Sequence, residues 1–431
     1  MVDIKLIREN PELVIKNTLN KGYEVDVQKL LEVDSQKIQL LKDVQKLREK
    51  RNDLSNYKGG QKPTEEQMKE VKNIKKELEE KEDRLNTLNQ EFNDLLLKVP
   101  NISWEDVPIG KSEDDNLVIK EVGDKPVFNF EPKNHYEIAL ERDWLDKVRA
   151  AKVSGSRFNY IKNGLVELQF ALIQFVFKNL TDQNVIDSII KENNLDIISK
   201  PFIPILPPAL IKTDVYKDSA RLDAKDVTYK LEGDELWLNA SAEHSLCTMY
   251  KDEILEEKEL PIRYIGYSTS FRREAGSYGK DMEGMFRSHQ FDKLEMEVFS
   301  TPETGIDEHK FLIAIQEYLL NKLQIPYRYV LKCTADIGFP NSRGVDLESW
   351  LPGQNNYRET HSADYMSDFQ TRRLKTRIKR KSGEIDFAHT NDATAIVLSR
   401  IPIAIIENYQ DEKGMVKVPD VLKQFINRDY L

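Results

Sequence analysis

The sequence contains few cysteines and no long apolar run. Its 431 residues include only Cys247 and Cys333, which cannot form a disulfide framework and favour a reducing compartment. The six histidines and two cysteines form no CxxC or HExxH pattern, so we expect no zinc site. No apolar run is long enough to span a bilayer, and the charged start "MVDIKLIREN" has no signal-peptide core. We therefore expect a cytoplasmic protein without a membrane partner.

Two common nucleotide-binding motifs are also absent. The chain has no GxxxxGK[ST] phosphate loop and no GxGxxG dinucleotide fingerprint. The net charge of −10 argues against a generally basic nucleic-acid binder, although local basic patches stay possible. Charged residues make up 32% of the chain, above the usual quarter, which predicts a solvated, charge-rich helical segment.

That segment is residues 27–98, which we predict to form two helices. The breakers Gly59, Gly60 and Pro63 interrupt a helical pattern, and Thr64 before two glutamates restarts it. A protruding antiparallel coiled-coil arm is favoured over two helices of an ordinary bundle, because the outer faces are charged almost throughout. The predicted apolar stripe consists of Leu31, Ile38, Leu41, Val44, Leu47, Leu54, Met68, Val71, Ile74, Leu78, Leu85, Leu88, Phe92, Leu95 and Val99.

The chain changes character after the linker "KVPNISWEDVPIG". Helical patterns alternate there with short β-rich runs such as "LWLNAS", "IRYIGYS", "KLEMEVF", "YRYVL" and "AIVLS". The predicted fold class is α+β, with a mostly antiparallel sheet flanked by helices. We expect a helical domain over residues 1–105 and a second domain over residues 106–431.

The stretch "YSTSFRREAGSYGKDMEGMFRSHQFDKLEMEVF" carries charges inside two predicted strands. Alternation puts Leu294, Met296 and Val298 on an inward apolar face and Phe291, Lys293, Glu295 and Glu297 on the other. A hairpin would bring Arg272, Glu274, Phe291 and Glu295 onto one surface. Cross-strand ion pairs on a solvated face are the alternative reading, and alternation alone leaves both open.

Similar chemistry recurs in other β segments of the sequence. Ser241 and Glu243 stand at period two after "LWLN", and Thr394 and Arg400 follow in a polar strand that leads into an apolar helix. Arginines clamp phosphates and carboxylates hold magnesium, so the set suits a polyphosphate with a metal ion.

Three longer blocks of the sequence resemble a known family. "FRREAGSYGKDMEGMFRSHQFDKLE" resembles the second signature motif of the class II aminoacyl-tRNA synthetases, in the form of the bacterial-type seryl-tRNA synthetase family. "YRETHSADYMSDFQTRR" and "SRIPIAIIENYQ" resemble downstream blocks of that family, the latter its third motif. The helical arm and the order of all blocks match as well. The resemblance implies a class II catalytic domain and a ligase that forms seryl-adenylate from ATP and L-serine, then loads serine onto the 3′ end of tRNA(Ser).

The resemblance also implies residue roles for ATP. Arg272 matches the arginine on the α-phosphate, Glu274 the carboxylate that reads the adenine amino group, and Phe291 the ring stacked on adenine. Arg400 matches the third-motif arginine near the γ-phosphate. The implied ATP-binding set is Arg272, Arg273, Glu274, Phe291, Glu359, Thr360, His361, Ser362 and Arg400. Glu359 and Ser362 match ligands of Mg²⁺ bound with ATP, and the implied catalytic residues are Arg272, Glu359 and Arg400.

For serine, the resemblance implies that Glu243 faces the amino group and that Glu295 and Thr394 face the hydroxyl. The implied serine-binding set is Ser241, Ala242, Glu243, Arg272, Glu295 and Thr394. The sequence departs from the family pattern at "TNDATA", where Asn-Gly-Ser is usual: Asp392 and Ala393 differ, and Thr394 keeps a hydroxyl. It also departs at "THS", where Thr360-His361 stand in place of the usual Ile-Ser.

Further partners follow from the same resemblance. The arm would bind tRNA(Ser), with tRNA(Sec) as a further candidate, and the loop 275–287 with Lys280 and Arg287 would meet the acceptor end. "PFIPILPPALIK" (201–212) matches the first motif and implies a homodimer. A paralogue that loads a carrier protein and a non-catalytic tRNA-binding homologue are the alternatives. The long arm argues against the first alternative, and the intact charged set argues against the second.

Overall fold

The computed structural model of the chain describes residues 1–55, 64–222, 227–274 and 284–431. Within them the chain forms two compact units, Met1–Ile102 and Ser103–Leu431. No helix in these described ranges is both long and apolar enough to cross a membrane.

The first unit is helical. Its helices are α1 (Ile4–Glu9), α2 (Pro11–Asn20), α3 (Val27–Ser55) and α4 (Glu65–Leu96). Helices α3 and α4 run antiparallel, since Lys29 pairs with Glu91 at 3.5 Å while Lys50 pairs with Glu70 at 2.8 Å. The helix restart predicted at Thr64 is confirmed, because Thr64 caps α4 in a reciprocal hydrogen-bonded box with Gln67.

The contact between α3 and α4 is a narrow apolar stripe. Val44, Ile74 and Leu78 are buried there. The stripe prediction was wrong at Leu41, which is 51% exposed, as is Met68 in the first turn of α4. Leu40, four residues before Val44, is partly buried, so the stripe passes through position 40 rather than 41. Supercoiling of the pair stays a prediction.

The second unit contains fifteen strands and the remaining α-helices of the described residues. Its strands are β1 (Leu117–Val122), β2 (Leu145–Asp146), β3 (Tyr160–Ile161), β4 (Ile203–Ile205), β5 (Leu210–Lys212), β6 (Leu236–Leu238), β7 (Ile254–Glu256), β8 (Ile262–Phe271), β9 (Gln290–Ser300), β10 (Tyr327–Leu331), β11 (Arg343–Leu351), β12 (Asn356–Ser367), β13 (Arg377–Lys379), β14 (Ile385–Phe387) and β15 (His389–Val397). Its helices are α5 (His135–Glu141), α6 (Lys147–Ser154), α7 (Gly164–Leu180), α8 (Gln183–Glu192), α9 (Thr213–Asp218), α10 (Ala242–Leu246), α11 (Gly305–Lys322), α12 (Phe369–Leu374), α13 (Ile401–Asn408) and α14 (Lys423–Ile426).

An eight-stranded sheet organises this unit, in the order β1-β10-β11-β12-β15-β9-β8-β4. Every neighbouring pair is antiparallel except β4 and β8, which confirms the predicted α+β class with a mostly antiparallel sheet. The predicted apolar face of β9 is also confirmed: Leu294, Met296 and Val298 are fully buried in the main core, together with residues of α7, α11 and α13. The opposite face of the same strands is polar, and α10 packs against β8 and β9.

Candidate active site

The hairpin of β8 and β9 brings most of the predicted charged surface together. Ser270 pairs with Phe291, Ser268 with Lys293 and Gly266 with Glu295. Directly paired residues share a face, so the second strand presents Phe291, Lys293 and Glu295 on one side.

The prediction that alternation continues to Glu274 was wrong. Strand β8 ends at Phe271, which pairs with Gln290, the first residue of β9, and one further backbone hydrogen bond joins Arg272 to His289 before the chain turns away. Glu274 instead has φ of +48°, its carbonyl accepts from Arg157 Nη1 at 2.7 Å, and its carboxylate lies 3.5 Å from Arg287 Nη1. Its adenine-reading role stays a prediction.

Arg272, directly after β8, keeps the predicted position beside Phe291. Its guanidinium lies 5.3 Å from the centre of the Phe291 ring, and its Nε donates to Ala240 O at 3.1 Å. A backbone hydrogen bond from Arg272 N to His289 O at 3.0 Å fixes the chain there. The guanidinium is therefore anchored above the sheet face rather than extended into solvent.

Arg400 and Glu359 form a second charged pair on this face. Arg400 stands at the start of α13, and its Nη1 lies 2.8 Å from Glu359 Oε1 and donates to Glu359 O at 3.1 Å. Burial would raise the pKa of Glu359, but Arg400, Lys332 and Arg272 outweigh it and lower that pKa to about 2. The carboxylate is thus ionised at neutral pH, and 44% of the side chain is exposed to a ligand.

Phe286 is a site neighbour that the sequence analysis missed. The guanidinium of Arg358 lies 4.4 Å from its ring centre and that of Arg400 lies 5.0 Å away. Such cation–π contacts restrain the arginine head groups. The sequence offers only a weak signal for this role, because Phe286 lies in a predicted loop far along the chain from both arginines.

Ser241, Ala242 and Glu243 lie at the start of α10, not on a strand. The period-two argument for Ser241 and Glu243 was therefore wrong, although both are buried and close to the sheet face. Lys293 connects them: its Nζ donates to Ser241 Oγ at 3.2 Å and lies 3.9 Å from Glu243 Oε2. Burial opposes ionisation of Glu243, but Lys293, His244 and Arg221 prevail and lower its pKa.

Lys293 also pairs with Glu295, at 2.5 Å from Oε2. Glu295 lies opposite Thr394 on β15, so both face the same side of the sheet. Burial raises the pKa of Glu295 well above its ordinary value, against the opposing charge of Lys293 and with the help of Glu243. Lys293 was predicted on this face from strand alternation, but no role was predicted for it.

A third charged group lies on β10 to β12. Lys332 Nζ donates to Ser362 Oγ at 3.0 Å and lies 3.2 Å from Asp346 Oδ1 and 3.1 Å from Asp364 Oδ1. Gly344 makes room for it, since a Cβ there would meet Lys332 Cε at 2.3 Å. Ser362 therefore joins the polar face, as its predicted role requires.

Three predicted ATP-binding side chains point elsewhere. Arg273 lies over the ring of Tyr229, 5.3 Å from its centre. Thr360 is buried and hydrogen-bonded to Ser349 Oγ at 2.8 Å, and the ring of His361 contacts Ala395 O at 3.1 Å. The geometry does not favour ATP contacts by these side chains, and the assignments stay predictions. In the predicted loop 275–287, residues 275–283 with Lys280 lie outside the described residues.

Among the described residues, no group of three or more His, Cys, Asp or Glu side chains is arranged to hold a metal ion. The face instead offers two arginines beside an ionised carboxylate, and next to them a cluster of buried polar side chains, Ser241, Glu243, Lys293, Glu295 and Thr394. Such an arrangement can neutralise phosphate oxygens and, beside them, bind a small molecule that carries both an ammonium and a hydroxyl group.

Comparison with known proteins assigns this architecture. The family model for the seryl-tRNA synthetase N-terminal domain matches residues 1–103, and that for the tRNA synthetase class II core domain (G, H, P, S and T) matches residues 227–409. Serine–tRNA ligase of Symbiobacterium thermophilum is 36% identical over 99% of this chain and 98% of its own length. That of Pyrococcus abyssi is 39% identical over 99% and 96%. The crystal structure of seryl-tRNA synthetase from Pyrococcus horikoshii complexed with ATP has a TM-score of 0.88 and 36% identity, covering 100% of this chain and 99% of that one.

Proposed function

The chain belongs to the seryl-tRNA synthetase family, and from that premise we propose that it activates L-serine with ATP and transfers serine to the 3′ end of tRNA(Ser). One observation carries the proposal: Arg272 and Arg400, beside the ionised Glu359, adjoin a pocket lined by Glu243, Lys293 and Glu295. The similar Pyrococcus horikoshii enzyme, whose structure is of a complex with ATP, supports ATP as the nucleotide.

In the first step the serine carboxylate attacks the α-phosphorus of ATP, and pyrophosphate leaves. The carboxylate is already ionised, so the step needs no general base and depends on alignment and charge neutralisation. Arg272, anchored by Ala240 O and Phe291, is suited to the α-phosphate, while Phe291 offers its ring to the adenine. Arg400 is suited to the outer phosphates. The 3′ hydroxyl of the tRNA then attacks the carbonyl carbon of seryl-adenylate, and AMP leaves.

The pocket accounts for serine through its hydrogen-bonding groups. Ionised Glu243 would bind the ammonium group, and Glu295 and Thr394, which face each other across two strands, would bind the hydroxyl. Burial favours the neutral form of Glu295, which can donate as well as accept a hydrogen bond. Alanine would leave these buried groups unpaired, so the pocket should reject it strongly.

Glu359 and Ser362 would hold the Mg²⁺ that accompanies ATP. They offer a carboxylate and a hydroxyl oxygen, the hard donors that this ion prefers, and the Glu359 carboxylate is ionised and partly exposed. Two protein donors fit an ion whose other ligands are phosphate oxygens and water. Bound there, it neutralises charge on the phosphates.

The helical domain, residues 1–105, would bind the tRNA, and residues 106–431 would carry out catalysis. Helices of 29 and 32 residues span about 45 Å at 1.5 Å per residue, long enough to follow a tRNA helix along its backbone. The loop 275–287 would meet the acceptor end. Charging of tRNA(Sec) is a further prediction, to be measured with that tRNA directly.

We also propose a homodimer through residues 201–212. Strand β4 is the last strand of the sheet, and Ile203 and Leu206 are 45% and 75% exposed beside it. An unpaired apolar sheet edge of this kind is suited to a partner subunit. The two buried free cysteines are consistent with the predicted cytoplasmic location.

The deciding experiment is pyrophosphate exchange into ATP with each of the twenty amino acids. We expect exchange with serine and little with alanine or threonine, and none with serine for the Arg272→Ala variant. Exchange with another amino acid but not with serine would contradict the proposal, as would normal exchange by Arg272→Ala.

A further inference from the structure

A second row of acidic side chains lies directly behind the proposed serine pocket. Asp392 on β15 pairs with Glu297 on β9 and with Asp364 on β12, and all three are buried. Thr394 and Glu295 occupy the next positions on the same face of β15 and β9. Asp392 is therefore one step along the strand from the groups proposed to bind the serine hydroxyl.

Arg221 supplies a cation to this row. It follows α9, and its Nη2 donates directly to Asp392 Oδ2, with only 14% of the arginine side chain exposed. The two residues are 171 positions apart in the chain, so this contact connects a separate segment to the sheet. Arg221 Nε has no hydrogen-bond partner among the described residues. The guanidinium is thus held mainly by Asp392.

Glu243 is the second acidic group within the influence of Arg221. Glu243 Oε2 is buried without a hydrogen-bond partner among the described residues, as is Arg221 Nε, and the charge of Arg221 is among those that lower the pKa of Glu243, after Lys293 and His244. An ionised Glu243 is what a substrate ammonium requires. A guanidinium free to bond Glu243 would, however, occupy the same carboxylate and compete with that ammonium.

We propose that Asp392 is a positioning residue that holds the Arg221 guanidinium behind the Thr394–Glu295 row and so leaves the Glu243 carboxylate available to the ammonium group of the amino-acid substrate. This inference rests on the proposed function. It assigns a role to Asp392 in "TNDATA", where the family pattern has an amide-bearing segment. Asp392 is then the partner of Arg221.

The isosteric variant Asp392→Asn separates this role from others. The amide keeps the shape of the side chain but replaces the carboxylate oxygen Oδ2 that accepts from Arg221, so the guanidinium can then turn to Glu243. We expect the KM for serine in pyrophosphate exchange to rise at least tenfold, with kcat and the KM for ATP within about threefold of the wild type.

Glu297→Gln is the matched control. It makes the same acid-to-amide change in the same buried row, on the directly paired residue. Neither carboxylate oxygen of Glu297 has a hydrogen-bond partner among the described residues, and burial, with Asp392 and Glu243, raises its pKa well above the ordinary value. A neutral amide should replace a neutral carboxyl there with the KM for serine unchanged.

The double variant Arg221→Gln/Asp392→Asn decides the mechanism. Removing the cation as well should bring the KM for serine closer to the wild-type value than in Asp392→Asn, since no guanidinium remains to bind Glu243. Thermal melting of each variant checks that the fold is kept. An unchanged KM in Asp392→Asn overturns the inference, and so does a double variant impaired at least as much as the single one. If the wild type shows no serine-dependent exchange, the proposed function fails and this inference fails with it. If the wild type shows exchange but the KM for serine is the same in every variant, only this inference fails.

Discussion

Arg400 and Arg358 allow a matched test of the ATP site. Both guanidinium groups contact the ring of Phe286, at 5.0 and 4.4 Å. Arg400 alone has the proposed phosphate role, and its Nη1 bonds the side chain and the carbonyl of Glu359, whereas Arg358 Nη1 donates to Gln354 at 3.3 Å. The perturbation is Arg400→Gln, with Arg358→Gln as the control that removes the same chemical group from a second contact with the same ring.

The expected magnitude follows from the proposed contact of Arg400 with the outer phosphates. Loss of one group that stabilises charge in the transition state costs about 10²–10³-fold in rate. The lower end, about a hundredfold, applies because the neighbouring Glu359 side chain is 44% exposed. The pKa of Glu359 should also rise, because Arg400 is the strongest of the charges that lower it.

The assay is serine-dependent pyrophosphate exchange as a function of ATP and Mg²⁺ concentration. We expect kcat/KM for ATP to fall about a hundredfold in Arg400→Gln and less than about fivefold in Arg358→Gln. The Mg²⁺ dependence of exchange should change only in Arg400→Gln, since only there does Glu359 lose its partner. Equal losses in the two variants would mean that stacking on Phe286, not the pair with Glu359, is the functional contact, and the reasoning would be refuted.

Three further predictions address the other parts of the molecule. Replacing residues 41–83 by a short Gly-rich turn keeps the buried base of the arm, so exchange with serine should stay within about twofold while charging of tRNA(Ser) falls at least a hundredfold; full charging would remove the tRNA role of the arm. Burial and Arg343 lower the pKa of His309 to about 4, so its contribution to stability is present above pH 6.5 and lost as the pH falls towards 4. In His309→Gln the free energy of unfolding, measured by denaturant titration, should therefore change less steeply with pH over this window, by about 1 kcal/mol per pH unit. Light scattering should give twice the mass of the chain for the wild type and a lower mass for Leu206→Asp; a wild-type monomer would contradict the proposed dimer.

The spacing of apolar residues predicted which helices and strands form, but it predicted poorly where they begin and end. The alternation in β9 gave its buried face correctly, because side-chain direction in a strand is a local property. It failed at Glu274, because the regular pairing of β8 with β9 ends at Phe271 and Gln290 and the backbone of Glu274 has a positive φ. It also failed for Ser241 and Glu243, which begin a short helix. Both are nonetheless buried beside the sheet. Their polar residue types therefore indicated the site correctly, although the predicted strand geometry was wrong.

The missed site residues share a physical cause. Lys293, Lys332, Arg221 and Phe286 act through contacts between segments far apart in the chain, and no local pattern specifies which distant cation meets which carboxylate. The Arg221–Asp392 contact spans 171 positions and the Lys332–Ser362 contact spans 30. Single-sequence reasoning could identify acids on a sheet face, but not the cations that decide which of those acids are ionised.

Strand β9 shows why the fold tolerates so many buried ionisable side chains at this site. Lys293, Glu295 and Glu297 alternate with three fully buried apolar residues on the core side. Burying a charge costs several kcal/mol even when it is paired, so a face of this kind does not stabilise the sheet by itself. The apolar face of the same strand, packed against α11, offsets that cost at about 25 cal/mol per Å² buried. Because the two contributions come from alternate residues of one strand, the charged face can be arranged for substrates while the opposite face holds it rigid, and a change in β9 register by one residue would remove both at once.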